Sequence, residues 1–250
     1  MRHLMLFLSL IGFSAPSASS ETELARTAYG QPSEVPTMFN QKLDKHVEHF
    51  DSADRSLSTL VLDIAYEYGI PVAFEYVDSV ATTRPMNLQF QNTSLGTILK
   101  TLVDRSPGYE VSFAGGVVDI YSPKAREDSS NLLNHNLSEF NVTNMDTNRA
   151  DSELACALVR QYGSEDAVCG GSIATGQWGP RKITLHMRDA KVYEILNAIV
   201  AQNGKAVWTV IVPPEKLAKF HPGGLWHIYP LDPPFQAVVV EKLSDLARNQ

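Results

Sequence analysis

The chain has 250 residues, of which 44% are apolar and 20% are charged, a composition that suits a globular protein with one large core or two small ones. Its formal net charge is −7 at pH 7. Because a negative protein repels phosphate backbones and anionic headgroups, this charge argues against nucleic acid and acidic membrane surfaces as partners.

The first twenty residues have the layout of a secretory signal peptide. Arg2 gives a positive start, residues 4–13 (LMLFLSLIGF) form an apolar run, and small residues occupy 14–20 (SAPSASS). The run is too short to span a bilayer, and because the three features occur in the expected order we favour export over the alternative, a buried N-terminal helix. We therefore expect a signal peptide over residues 1–20, a mature chain in the periplasm and no transmembrane segment after cleavage.

Residues 21–44 contain two prolines and no hydrophobic periodicity, and we expect a flexible lead-in there. A first module is predicted over residues 45–124. It begins with a weak strand near 47–50 and continues with an apolar helical stripe that ends at Gly69. Next come a strand at 71–76, an alternating strand at 85–91, a second helix opened by Ser94 and a hairpin around Gly115-Gly116.

A second, divergent copy is predicted over residues 138–231, after a polar linker at 125–137. The apolar stripe that begins at Leu95 recurs from Val192, 97 positions later, with Asp189 as the expected N-cap. The closing Gly-Gly pair recurs 108 positions later, at Gly223, so this copy has eleven extra residues in its hairpin. The predicted order of elements in each copy is βαββαββ. Because each helix has a single apolar stripe, both helices are expected to pack against a sheet. The predicted fold class is α+β, with two tandem small domains of mixed sheets, followed by an amphipathic helix over 232–250.

This pattern resembles the secretin and TonB N-terminal short domain. Three segments carry the resemblance: TLVLDIAYEYGIPVAFEY, MNLQFQNTSLGTILKTLV and YEVSFAGGVVDIYSP, at 59–76, 86–103 and 109–123. The resemblance implies two helices between small sheets, no cofactor, no catalytic residues and a periplasmic place where such domains bind other proteins. We expect this chain to act without the secretin channel or receptor barrel that usually accompanies them.

Cys156 and Cys169 are the two cysteines of the chain. An even count in an oxidising compartment favours a disulfide between them, which would close a short loop, and the alternative is two buried thiols. Trp178 lies in a glycine-rich segment and has no counterpart in the first copy, so it is our candidate for an exposed contact residue. Trp208 and Trp226 are predicted to pack in the core from two strands of one hairpin, with the lining of a shallow ligand surface as the less favoured alternative.

The sequence lacks the spacings that mark common catalytic sites, such as GxSxG, GxxxxGK and HExxH. The seven histidines are expected to be solvated residues, with a metal site as the less favoured alternative. We therefore expect no enzyme, metal or cofactor. The leading hypothesis is a periplasmic protein–protein interaction protein that binds an envelope partner, for which pairing an edge strand is one route. The alternative is a small-ligand or glycan-binding protein that uses the loops of the second copy.

Overall fold

The computed structural model describes residues 35–76, 82–162, 181–211 and 225–231. All of them belong to one compact unit that spans 32–250. The predicted signal peptide, Cys169, Trp178, the second Gly-Gly pair and the predicted C-terminal helix lie outside the described residues. None of the helices in the described ranges is long and apolar enough to cross a membrane.

The chain folds into the predicted α+β class. The first helix, α1 (Val35–Leu43), precedes the first copy. The first copy contains β1 (His46–Asp51), β2 (Arg55–Ser56), α2 (Leu57–Tyr68), β3 (Val72–Tyr76), β4 (Pro85–Met86), β5 (Gln89–Ser94), α3 (Leu95–Asp104), β6 (Glu110–Ala114) and β7 (Val117–Tyr121). After it come α4 (Pro123–Glu127), a short 3-10 helix (Leu132–Asn134), β8 (Asn136–Asp146), α5 (Thr147–Tyr162), β9 (Lys182–Lys191), α6 (Val192–Asn203), β10 (Ala206–Ile211) and β11 (Leu225–Pro230).

The helix ends follow local sequence signals. The side chain of Ser94 accepts a hydrogen bond from the backbone N–H of Thr97 and so caps α3 as predicted. Gly69 follows α2 at φ +59°, a left-handed conformation that glycine adopts at little cost. The predicted cap Asp189 is wrong: the N-cap of α6 is Lys191, whose backbone N–H donates to the carboxylate of Glu194 at 2.8 Å. Asp189 lies two residues earlier, inside β9.

Equivalent positions of the two copies have equivalent backbone conformations. Asn92 in β5 and Asp189 in β9 are 97 positions apart and both have positive φ, at 43° and 47°. The helices that follow begin at Leu95 and Val192, again 97 positions apart. The earlier helix differs in length, because α5 has 16 residues where α2 has 12, which is one extra turn. The repeat is therefore visible in the backbone as well as in the apolar pattern.

The two hairpins also pair equivalent residues. Val111 lies opposite Ile120 in the β6–β7 hairpin, and Trp208 lies opposite Ile228 in the β10–β11 hairpin. Trp208 and Ile228 are the residues that the repeat aligns with Val111 and Ile120. The extra residues of the second hairpin thus leave its strand register unchanged.

A five-stranded sheet joins the two copies. Its strand order is β11-β10-β3-β7-β6, in which β10, β3 and β7 are parallel to one another and the two outer strands are antiparallel to their neighbours. The other sheets have two strands each: β1 with β5, β2 with β4, and β8 with β9. Since β10 belongs to the second copy and β3 to the first, the predicted modules share a continuous sheet.

Helices cover both faces of this shared sheet. On one face, α2 contacts β3 and α3 contacts β6, and side chains such as Val72 and Phe74 join the core of the first copy. On the other face, α6 contacts β10, β3 and β7, and the side chain of Ala73 joins the core of the second copy together with Trp208. Because successive strand residues point to opposite faces, β3 contributes to both cores.

Two segments that the sequence analysis treated as connectors are structured. Part of the predicted lead-in forms α1, in which Phe39 and Leu43 lie four residues apart on one side and pack into the first core. The polar linker contains the end of α4 and the short 3-10 helix, in which Leu133 is 2% exposed and belongs to the second core. These segments have few apolar residues; Phe39, Leu43 and Leu133 reach a core, whereas Met38 is 60% exposed.

Candidate functional site

A buried charged cluster lies where the two copies meet. Arg126 of α4 donates from Nε to Oε1 of Glu75 on β3, and from Nη2 to Oδ1 of Asp119 on β7 at 3.0 Å. The side chains are 1%, 11% and 12% exposed for Glu75, Asp119 and Arg126. Glu75 and Asp119 lie on the sheet face that α6 covers, since they alternate with Phe74 and Val118 of the first core. We call these three residues the Arg126 cluster.

The second copy completes the surroundings of the cluster. Asn197 of α6 donates from Nδ2 to Oδ2 of Asp119 at 3.0 Å, and it accepts from Nε1 of Trp208 on β10 at 2.7 Å. The Arg126 guanidinium lies 3.5 Å from the ring centroid of Tyr193 and 4.8 Å from that of Tyr121, so it is within cation–π distance of both rings. Polar contacts therefore cross the boundary between the copies within a largely apolar layer.

The cluster contains two carboxylates and one guanidinium. Burial raises the pKa of Glu75 to about 7, although the charge and hydrogen bond of Arg126 act in the opposite direction. Burial also raises the pKa of Asp119, against the effects of Arg126 and Asn197. Oε2 of Glu75 is buried and has no hydrogen-bond partner. These groups can hold a proton and connect structural elements, but their burial keeps them from a large substrate.

A second buried carboxylate is paired with a predicted core residue. Nε1 of Trp226 on β11 donates to Oδ1 of Asp151 on α5 at 2.7 Å, and burial raises the pKa of Asp151 to about 6. Trp208 is fully buried in the second core, as predicted, and Trp226 packs against that core while half-buried. Both indole N–H groups thus have acceptors, which is usual for buried tryptophans.

The outer strand β6 has a defined hydrogen-bonding pattern. Gly115 and Gly116, at φ +64° and +83°, form a two-residue turn that leaves Ala114 opposite Val117. Such a turn makes the flanking pair hydrogen-bonded, and alternation then directs the backbone N–H and C=O groups of Val111 and Phe113 away from β7. Within the described ranges, no strand pairs with that outer side of β6.

The predicted site residues are only partly described. Cys156 lies on α5 and is 9% exposed, but Cys169 falls outside the described residues, so the disulfide stays a prediction. Trp178 falls outside them too, as do the inserted hairpin residues that the ligand-binding alternative needs. His46 and His49 are both exposed on β1. In the described part of the chain, no three His, Cys, Asp or Glu side chains are grouped as metal ligands would be.

Sequence reasoning missed the Arg126 cluster. The signals were one charged residue within each of two strongly apolar strands, PVAFEY for Glu75 and VVDIY for Asp119. A carboxylate in such a strand needs a buried partner, which a cation elsewhere in the chain can supply. Arg126 stood in a run of polar residues that is typical of a linker, so nothing in its local sequence marked it as the partner.

No protein-family model, no curated protein sequence and no solved structure matches the chain. The resemblance to the secretin and TonB short N-terminal domain therefore stays a prediction that rests on the residues quoted above.

Proposed function

We propose that this is an exported periplasmic protein that binds another envelope protein by pairing an extended segment of that partner with the outer edge of β6. The observation that carries the proposal is the position of β6 at the end of the shared sheet, where no described strand occupies its outer side. Export is supported by the signal-peptide pattern of the first twenty residues. An edge strand with free backbone groups is a common site for a partner strand.

The side chains of β6 would give such pairing selectivity. Val111 and Phe113 are half-buried and pack against the first core on one face of the strand. Glu110 and Ala114 are exposed, and Ser112 lies with them on the opposite face. A partner strand would therefore place apolar side chains beside Val111 and Phe113, and polar ones on the other face. Backbone hydrogen bonds would supply affinity and this alternation would supply specificity.

A proline variant tests the edge directly. In Val111→Pro the ring replaces an N–H that points away from β7, so the internal β6–β7 ladder keeps its hydrogen bonds while the outer edge loses a donor and gains a steric block. Val111→Thr is the matched control, because it keeps the backbone N–H and the β-branched shape. Both purified variants should fold, as judged by circular dichroism.

The measurement has two stages. An envelope extract is passed over the immobilised mature chain, the retained protein is identified by mass spectrometry, and its binding to each purified variant is then measured by calorimetry. We expect Val111→Thr to bind and Val111→Pro to lose at least tenfold in affinity. Recovery of no specific partner, or equal binding by both variants, would count against the proposal.

A further inference from the structure

The Arg126 cluster connects three parts of the molecule that are distant in sequence. Glu75 and Asp119 come from the first copy, Arg126 comes from α4, and the Asn197 and Trp208 contacts come from the second copy. We propose that this cluster is a proton-binding joint: Glu75 carries a proton at acidic to neutral pH, and loss of that proton loosens the contact of α4 and α6 with the shared sheet. The inference is independent of the proposed partner binding.

The hydrogen bonds assign the proton to Glu75. Asp119 accepts two contacts from Nη2 of Arg126, at 3.0 and 3.2 Å, and one from Asn197 at 3.0 Å. Glu75 accepts from Arg126 through Oε1, whereas its Oε2 has no partner although the side chain is 1% exposed. A buried charge without compensating donors is costly, so the less well-solvated carboxyl is the one that stays neutral.

Arg126 supplies the positive charge that is paired with the two buried carboxylates. Among the described residues, the ion pairs of Glu75 and Asp119 are all with Arg126. The other elements around the cluster contribute Tyr121 from β7, Tyr193 and Asn197 from α6 and Trp208 from β10. The backbone of Ser122 acts to lower the pKa of Glu75, against the effect of burial. Three further charged groups lie beside the two rings: the Glu194 and Glu110 carboxylates, to which the hydroxyl groups of Tyr193 and Tyr121 donate, and the Lys191 ammonium, 5.7 Å from the ring centroid of Tyr193.

The direction of the pH effect follows from these contacts. Burial raises the pKa of Glu75 from 4.5 to about 7, so the folded protein binds this proton more tightly than the unfolded chain does. The contribution of this proton to the free energy of unfolding is fully present below about pH 4.5 and is lost as the pH rises through about 7. The raised pKa of Asp119 acts in the same direction. Above neutral pH the cluster has a net negative charge between two apolar layers.

The first experiment measures urea unfolding of the mature chain between pH 5 and pH 8 for three proteins. Over this range, Glu75 alone should raise the unfolding equilibrium constant of the wild type by about 10- to 100-fold. Glu75→Gln keeps the size of the side chain and the acceptor for Arg126 but cannot ionise. Its unfolding equilibrium constant should therefore lack the pH-dependent rise that Glu75 causes in the wild type. Glu48→Gln makes the same change on an exposed β1 residue and should behave as the wild type.

Hydrogen exchange then distinguishes local loosening of α4 and α6 from destabilisation of the whole protein. After correction for intrinsic rates, amides of α4 and α6 in the wild type should lose protection above pH 7, while those of α2 should keep theirs. Glu75→Gln should show no such difference. Uniform loss across all three helices, or no loss in α6, would overturn the idea of a joint.

A direct titration covers the case in which Glu75→Gln does not fold. The carboxyl carbon of Glu75 is followed by carbon-13 NMR in the folded wild-type chain as the pH is raised. A midpoint near 7 supports the proposal, and a midpoint near the ordinary value of a glutamate refutes it, whatever the variants do.

Discussion

Replacing Arg126 by methionine should destabilise the protein strongly. The substitution keeps an unbranched side chain that can still contact Tyr193, but it removes the cation shared by Glu75 and Asp119. Removing one partner of a buried ion pair leaves an uncompensated charge and typically costs about 3–5 kcal/mol. Because protonation of Glu75 relieves part of the repulsion near neutral pH, we expect a loss of about 3 kcal/mol in the free energy of unfolding at pH 7.

A double-mutant cycle assigns that loss to charge rather than to packing. In Arg126→Met the remaining buried charge lies on Asp119, so adding Asp119→Asn should recover about 1–2 kcal/mol. Arg126→Lys is the second comparison, since it keeps the charge but cannot reach both carboxyls with one planar group or stack on Tyr193 in the same way. The free energies come from urea denaturation at pH 7. A loss below about 1 kcal/mol for Arg126→Met, or additive effects of the two substitutions, would refute the reasoning.

Two further substitutions test the framework of the first copy. Leu99→Ala removes a side chain of α3 that is 0% exposed, and we expect thermal or urea unfolding to show a loss of about 2–5 kcal/mol through the cavity it leaves, with the exposed neighbour Lys100→Ala as the near-neutral control. Gly69→Ala puts a side chain at φ +59°, where the nearest atom is the Lys42 ammonium 3.7 Å from the new Cβ, so the cost should be conformational, about 1 kcal/mol, and a loss several times larger would contradict that account.

The parts of the fold that the sequence predicted are those with local signals. The α3 and α6 stripes, the caps at Ser94 and Gly69, and the turn at Gly115-Gly116 depend on residues within a few positions of one another. Each of these features follows from helix periodicity, capping or turn chemistry, which act over a single element. The N-cap of α6 was not predictable in this way, because Lys191 has no typical capping side chain. Its backbone N–H instead donates to the carboxylate of Glu194, three residues later.

The pairing of strands from the two copies in one sheet could not be predicted from such local signals. Pairing of β10 with β3 connects Val207 with Val72, which are far apart in sequence. One indication was present: Val72, Ala73 and Phe74 are three consecutive apolar residues, and all are 0% exposed. A strand with apolar residues at consecutive positions is typical of a sheet that is covered on both faces, which a two-layer module cannot provide. The repeat pattern places β3 in a two-layer module and so does not predict the additional layer that α6 forms on its other face.

The shared sheet also restricts where a partner strand can bind. The edge of β3 that a separate first copy would expose is already occupied by β10, so the two copies contact each other by strand pairing. The two copies also share core contacts, because Ala73 and Val117 of the first copy pack in the core of the second copy. Of the two outer strands, β6 is the one whose neighbours along the chain are both described: α3 precedes it, and the turn to β7 follows it. Strand addition at β6 would thus repeat, between molecules, the mode of contact that the chain already uses between its own copies.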